Sequence, residues 1–473
     1  MHKRIITSVL SLFFQSGYSA FLGLIANLVL TILLSPTIFG MYITVLSIIS
    51  LLNYFSDIGL AASLIQKREI TDDDVKTTFT IQQILIIMLI AIGFFSTSFI
   101  RMFYNLPIEG VYLFWGLLLA FFISSLKTIP SVFLERKIKF QKIVLVQIIE
   151  NTVFYVLAIV LAVLNFGIMS FTYAVIARAI VGLIAMYSIS FWLPTVGIST
   201  KSLKQLLSFG LPFQASSFLA LFKDDLIILY LGKVLGFEGL GYIGWAKKWA
   251  ESPIRIIMDN ISRVLFPVIS RIQSDKQKIS KLIEKLLNYQ TTLLAPTMIG
   301  LALLMEPLVN VIPRYNKWTP ALPFFYMFCL SAFFSSYSTP FMNLFNALGK
   351  VKISFSFMLF WTVTTWLLTP LFIKLFGLYG FPLNQLILSL TFIAVVYIAK
   401  KQIDFKFLES VYKPLIATAI MGGITFLMVN STRPTFPFLI IITTTSALTY
   451  FLIMKFFFRI DLIVEIKSLF HKV

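Results

Sequence analysis

The chain has 473 residues, of which 58% are hydrophobic and only 12% charged, and its mean hydropathy is +0.91. That composition excludes a soluble globular enzyme, and the net charge of +19 is explained better by membrane topology than by nucleic-acid binding. Cys329 is the one cysteine, and His2 and His471 lie at the two ends, which leaves no disulfide, no transition-metal cluster and no histidine-based acid–base pair to build.

Apolar runs of about 20 residues follow one another from end to end, each long enough to cross ~30 Å of hydrocarbon as a helix. Only helices satisfy their own backbone groups in lipid when no barrel pattern is present, so the chain reads as an all-α polytopic membrane protein. The first run follows Lys3-Arg4 and continues for nearly thirty residues without a small-residue cleavage site, so it is expected to be a retained span. Fourteen spans are expected, near 6–33, 38–64, 78–100, 111–133, 143–164, 168–192, 209–231, 239–262, 287–312, 321–347, 353–373, 380–399, 412–430 and 437–455.

The connecting loops alternate in charge. One set carries 26 Lys and Arg and the other carries 6, so the basic set is expected on the cytoplasmic side of a bacterial inner membrane, with both termini there. No loop exceeds about twenty residues, which leaves no room for a soluble catalytic domain. Residues 199–208 and 455–472 mix apolar and charged positions and read either as amphipathic segments lying on the membrane or as plain tethers.

The chain repeats itself. Leu34 to Tyr42 matches Leu235 to Ile243, with Gly40 opposite Gly241. Arg136-Lys137-Ile138-Lys139 matches Gly349-Lys350-Val351-Lys352, and Phe166-Gly167 matches Phe376-Gly377. An even number of spans per unit predicts parallel repeats. The expected organisation is two pseudo-symmetric six-helix lobes around a central cavity, 1–192 and 209–399, joined by an amphipathic linker at 193–208. Two extra helices and an interfacial tail follow at 400–473. Two lobes that rock about a cavity suit a transporter.

Several motifs carry a family resemblance. They are Leu34 to Tyr42, the run Phe55-Ser56-Asp57-Ile58-Gly59-Leu60 with Leu64 to Arg68, Phe133-Leu134-Glu135-Arg136-Lys137, and Gly241 to Pro253 with Arg263 to Pro267. In that order, over roughly residues 1–400, the chain resembles the polysaccharide-repeat (Wzx-like) flippases of the multidrug/oligosaccharidyl-lipid/polysaccharide exporter superfamily. Ile243 departs from the pattern, since a tyrosine is common there. The resemblance implies a flippase that moves an undecaprenyl-pyrophosphate-linked oligosaccharide repeat from the cytoplasmic to the periplasmic leaflet by alternating access. It implies no cofactor, a proton or sodium gradient or the membrane potential as drive, and a polysaccharide polymerase and chain-length regulator as partners.

Counting along the expected spans places Lys223, Lys247 and Arg178 at roughly 13–15 Å from the periplasmic face. A diphosphate accepts charge-assisted hydrogen bonds from Lys and Arg. With Lys248 and Arg255, these residues form the expected headgroup site of the cavity. The other reading is open at this point. Lys247, Glu251, Arg255, Asp259 and Arg263 recur at i, i+4 with alternating sign and can neutralise one another along one helix face, as Lys223 can with Asp224 and Asp225. Glu150 and Glu306 are candidates for ion coupling, while Asp57 and Lys127 are expected near cytoplasmic span ends. Trp245, Trp249 and Tyr242 accompany the charged face, where packing competes with stacking on sugar rings.

Three alternatives are weighed against these features. A drug/cation antiporter of the same superfamily is expected to hold an acidic residue in span one, and residues 5–34 contain none. A peptidoglycan lipid-precursor flippase shares fold and headgroup chemistry, but span one also lacks a basic residue. A membrane glycan polymerase or ligase needs a sizeable periplasmic loop, and the longest here is about Arg101 to Gly110.

Overall fold

Several helices start where the sequence supplies a cap or a proline. The computed structural model describes residues 2–431 and 435–459, with side chains except at 2–16, 212, 213, 215–220, 259–264 and 267. The helix α1 (His2–Leu33) gives way to Ser35, whose hydroxyl accepts from the N–H of Ile38, and Pro36 then opens α2 (Pro36–Tyr54). The chain breaks at 55–59, where Gly59 takes φ +81°, and resumes as α3 (Leu60–Gln66). A reciprocal capping box between Thr71 and Asp74 starts α4 (Asp72–Phe95). Then come α5 (Thr97–Tyr104), α6 (Ile108–Ser125), α7 (Thr128–Arg136), α8 (Phe140–Val163) and α9 (Met169–Ile189).

Residues 191–199 take no regular secondary structure, and the N–H groups of Gly197 and Ser199 donate to Thr80 and Thr77 on α4. Residues 200–208 are the opening turns of α10 (Thr200–Leu221), which passes through a π turn at Phe222–Leu226 into α11 (Ile227–Arg271). Within α11, Gly236 is non-helical at φ 69°, ψ 176°. The rest comprises α12 (Lys276–Val311), α13 (Leu322–Ser336), α14 (Ser338–Ala347), α15 (Val351–Phe376), α16 (Gly380–Ser389), α17 (Phe392–Lys400), α18 (Phe407–Ser431) and α19 (Phe436–Leu452). The described residues contain no strand.

Eleven segments among the described residues are long and apolar enough to cross a membrane, and Gly17–Leu33 is a shorter apolar helix. Two of the eleven, Phe222–Met258 and Val351–Lys400, run through Gly236 and Gly377 and each cover two of the spans expected from sequence. From 460 onward the expected interfacial tail lies outside the described residues.

The chain divides into two compact units, Met1–Gly244 and Trp245–Val473. In the first, α8 packs against α1 and α9, and a cluster of Leu60, Leu64, Val75, Phe79, Ile129, Val132 and Leu206 closes its loop end. There the guanidinium of Arg136 donates to the carbonyls of Leu64, Ile65, Lys67 and Arg68, satisfying the last turn of α3 and the residues after it. In the second unit, α12 packs on α18, and Ile279, Ile283, Phe341, Phe345, Val395 and Phe405 sit in one buried cluster.

The repeat is written in the backbone. Gly167 and Gly377 turn at φ +56° and +57°. The N–H of Lys139 donates to the carbonyl of Leu134, and the N–H of Lys350 donates to that of Phe345. The same turn closes with Ile138 on Glu135 and Gly349 on Asn346. Both turns carry a left-handed residue, Ile138 and Gly349, before helices that start at Phe140 and Val351. The structural register is therefore Ile138 opposite Gly349, two residues from the pairing by residue identity, because the turn rather than the lysines fixes it.

In the first unit the two matched glycines meet. A Cβ at Gly40 would stand 1.7 Å from the carbonyl oxygen of Phe237, and one at Gly241 would stand 1.9 Å from that of Pro36. Bare backbone faces bare backbone here, which only glycine allows.

Candidate functional site

Among the charged side chains within the spans of the first unit are Glu150 on α8 and Arg178 on α9. Arg178 lies nine residues beyond Met169, the first residue of α9, which is ~14 Å along the axis. Its side chain is exposed, and its guanidinium stands 5.9 Å from the Phe154 ring centroid. Tyr42 and Tyr155 are within its electrostatic reach. Among the described residues no carboxylate pairs with Arg178.

One turn further along α9, Gly182 makes room for Glu150. A Cβ at Gly182 would lie 1.8 Å from Glu150 Oε1. Glu150 is 5% exposed and accepts from the ammonium of Lys127 in an ion pair. Lys127 sits at the break between α6 and α7, nine residues short of Arg136, and so ~14 Å from that end of the helix. It reaches a partner inside the bundle and does not stay at a span end. Asp57 accepts from the N–H of Ala61 at 3.0 Å and so serves the start of α3. Lys223 is half-buried in the π turn beside Asp224 and Asp225, and it is engaged with the protein.

In the second unit the charges line one stretch of α11. Glu251 stands between two cations, with Arg255 at 3.0 Å and Lys247 at 3.8 Å. Lys247 also lies 5.9 Å from the Phe381 ring centroid. Part of the alternating ladder is therefore real, and it holds Lys247 and Arg255 by their shared carboxylate. Lys248 is outside it. Its side chain is exposed, forms no ion pair among the described residues, and feels the charge of Arg255. The side chains of Asp259 and Arg263 lie outside the described residues.

Glu306 is exposed near the end of α12, 3.5 Å from the Tyr326 hydroxyl. Trp245 is core, stacked at 5.3 Å on Trp318 and donating to the Tyr315 hydroxyl. Tyr242 donates to Glu238. Trp249 differs, because its indole N–H is buried and finds no acceptor among the described residues.

The structural register gives a way to sort these groups. Counterparts of Lys127, Glu150 and Arg178 in the second repeat are Ser338, Trp361 and Leu388, and counterparts of Lys247, Lys248, Glu251 and Arg255 in the first are Leu46, Ser47, Ser50 and Tyr54. Turns recur between the repeats, but these charges do not.

The sequence profile of the family described as "Polysaccharide biosynthesis protein" matches residues 29–323. The succinoglycan biosynthesis transport protein ExoT of Rhizobium meliloti (strain 1021) is 24% identical over 71% of this chain and 68% of its own length. The lipopolysaccharide biosynthesis protein WzxC of Escherichia coli (strain K12) is 26% identical over 72% of this chain and 69% of its own. The teichuronic acid biosynthesis protein TuaB of Bacillus subtilis (strain 168) is 24% identical over 78% and 77%. Among solved structures, the lipid II flippase MurJ in its inward closed conformation superposes with a TM-score of 0.75 at 17% identity, over 97% of this chain and all of that one. An inward-facing multidrug resistance MATE transporter of the MOP superfamily gives 0.58 at 14% identity, over 83% and 95%. At these identities the structural likenesses establish the fold alone.

Proposed function

This chain belongs to the polysaccharide biosynthesis protein family, and from that premise we propose that it flips an undecaprenyl-pyrophosphate-linked oligosaccharide repeat from the cytoplasmic to the periplasmic leaflet by alternating access. Transport, and no catalysed reaction, is its class, in line with the relatives named for transport and surface-glycan biosynthesis. It works in a bacterial inner membrane with both termini cytoplasmic, and it hands its cargo to a polymerase and chain-length regulator.

The observation that carries this reading is Arg178 in the first unit, an exposed mid-span cation with no carboxylate partner among the described residues; in the second unit, taken by itself, Lys248 is likewise exposed and without one. A charge at mid-bilayer costs several kcal/mol unless it meets water or a counter-ion. An anionic headgroup supplies that counter-ion during transport, through charge-assisted hydrogen bonds. Within the second unit, Lys247 and Arg255 add positive charge beside Lys248 while Glu251 holds them in place.

Coupling to a proton or sodium gradient falls to Glu150 before Glu306. Glu150 is buried and paired, so a change in its charge disturbs three helices, whereas Glu306 is exposed.

The test is translocation of the lipid-linked repeat in cells. Deletion of the gene is expected to make the lipid-linked intermediate accumulate and surface polysaccharide disappear, and Arg178→Glu or Lys248→Glu is expected not to rescue although the protein reaches the membrane. Intact polysaccharide after deletion, with no intermediate accumulating, sinks the reading.

A further inference from the structure

Around Arg178 the structure gathers hydrogen-bond donors without giving them acceptors. Tyr42 lies ~9 Å from the start of α2, Tyr155 ~12 Å from the end of α8 and Arg178 ~14 Å from the start of α9, so all three stand at a similar depth below the same ends of their helices. Both tyrosines interact electrostatically with Arg178, and Tyr42 does so with Tyr155. The Tyr42 ring is fixed flat on Phe171 at 4.2 Å and 15°, and Phe171 is 2% exposed. Gly23 on α1 leaves space beside Tyr155, since a Cβ there would come within 3.2 Å of its hydroxyl oxygen. Among the described residues neither phenol has a hydrogen-bond partner, while nearby Tyr18 and Thr152 are bonded to each other at 2.8 Å.

Fold requirements do not explain the group. In the second repeat the corresponding residues are Ile243, Trp366 and Leu388, with neither a phenol nor a guanidinium among them. At the matching second-repeat position stands buried Ile243, whereas the first repeat holds Tyr42 there and sets it by Arg178.

We infer that Tyr42, Tyr155 and Arg178 form a phosphoryl-recognition subsite within the first unit, in which two phenol hydroxyls and a guanidinium donate to the non-bridging oxygens of the cargo's diphosphate. This rests on the reading that the cargo carries an anionic headgroup. It goes further by assigning the specificity for that headgroup to two uncharged side chains. A guanidinium alone attracts any anion, whereas two hydroxyls beside it favour an acceptor with several oxygens on one centre. A phosphoryl group is such an acceptor.

The experiment measures binding to the purified full-length protein in lipid nanodiscs, with geranyl diphosphate, inorganic pyrophosphate and geraniol as probes. Wild type is expected to bind geranyl diphosphate more tightly than inorganic pyrophosphate, and geraniol least. Tyr42→Phe and Tyr155→Phe, which each remove one oxygen, should each weaken geranyl diphosphate binding about tenfold with unchanged thermal unfolding, because each loses a hydrogen bond to a charged acceptor. Arg178→Gln should abolish it. Equal binding of geranyl diphosphate and inorganic pyrophosphate overturns the lipid-linked source and assigns the site to a free anion. If Arg178→Gln and Lys248→Gln weaken binding while both Phe variants match wild type, the subsite is wrong and the headgroup reading survives. If wild type binds none of the diphosphates, both fail.

Discussion

Gly40 and Gly241 occupy equivalent places in the two sequence repeats, and in the folded chain they pack on one another's helix through backbone alone. Relief by side-chain movement is not available, because the atoms in the way are the carbonyls of Phe237 and Pro36. Gly40→Ala and Gly241→Ala are each expected to cost about 3 kcal/mol through forced separation of the two segments. Gly300→Ala, with nothing within 4 Å, should be neutral or slightly stabilising. Thermal unfolding of the detergent-solubilised protein ranks the three, and equal melting temperatures refute the close contact.

The Lys127–Glu150 pair gives a sign-specific prediction. Lys127→Met leaves a buried carboxylate without its cation and should cost about 3 kcal/mol, as should Glu150→Met, whereas the double variant should regain most of the loss. A double-mutant cycle on thermal stability measures this. Export by the stable double variant then separates roles. Lost export marks Glu150 as a coupling group, and retained export marks the pair as structural.

Gly182→Ala tests the same pair from the other side. The added methyl would occupy the position of Glu150 Oε1, so it should displace the carboxylate and lower stability. In a Glu150→Ala background the same substitution should be nearly free, a coupling that additive effects would disprove.

On α11, Glu251 is the hinge of the charge pattern. Glu251 is half-buried between a half-buried and an exposed cation, and Gln keeps its shape and can still accept from both. Glu251→Gln should therefore lower the melting temperature only modestly, for a loss of about 1 kcal/mol or less of stability. It should nevertheless impair export, since Lys247 and Arg255 lose the carboxylate that sets their direction. A variant with normal export would make Glu251 a bystander.

Arg136 holds four carbonyls with one planar group. Arg136→Lys keeps the charge and the topology signal but cannot reproduce the fork. A lower melting temperature is expected with unaltered membrane orientation, and an unchanged melting temperature would mean that the charge alone matters.

Much of this was legible in the sequence. Hydropathy gave the helical membrane class, and the motifs from Leu34 to Pro267 led to the right family. Subtracting the two sets of loop cations leaves seven basic residues, Lys127, Arg178, Lys223, Lys247, Lys248, Arg255 and Arg263, and most of the candidate site is among them. The pairing of Lys127 was not legible. Its partner is 23 residues away on another helix, and counting from a span end treats α6 and α7 as one straight rod, which the break at Lys127 is not. The second repeat match was read two residues out of register because Ile138 adopts a conformation normally signalled by glycine. The alternating charges after Lys247 could not be divided into paired and free members by spacing alone, since Lys248 lies one position from a residue in the ladder.

Paired and unpaired charges differ in the electrical work they do. Moving one elementary charge across the membrane involves about 2.3 kcal/mol per 100 mV. Lys127 and Glu150 travel as a dipole with no net charge, so a voltage cannot push them in either direction. Arg178 has no such escort among the described residues, so any displacement of α9 along the membrane normal carries a whole positive gating charge when empty. An anionic group bound at Arg178 would offset that charge, and so change how strongly the same field acts on α9.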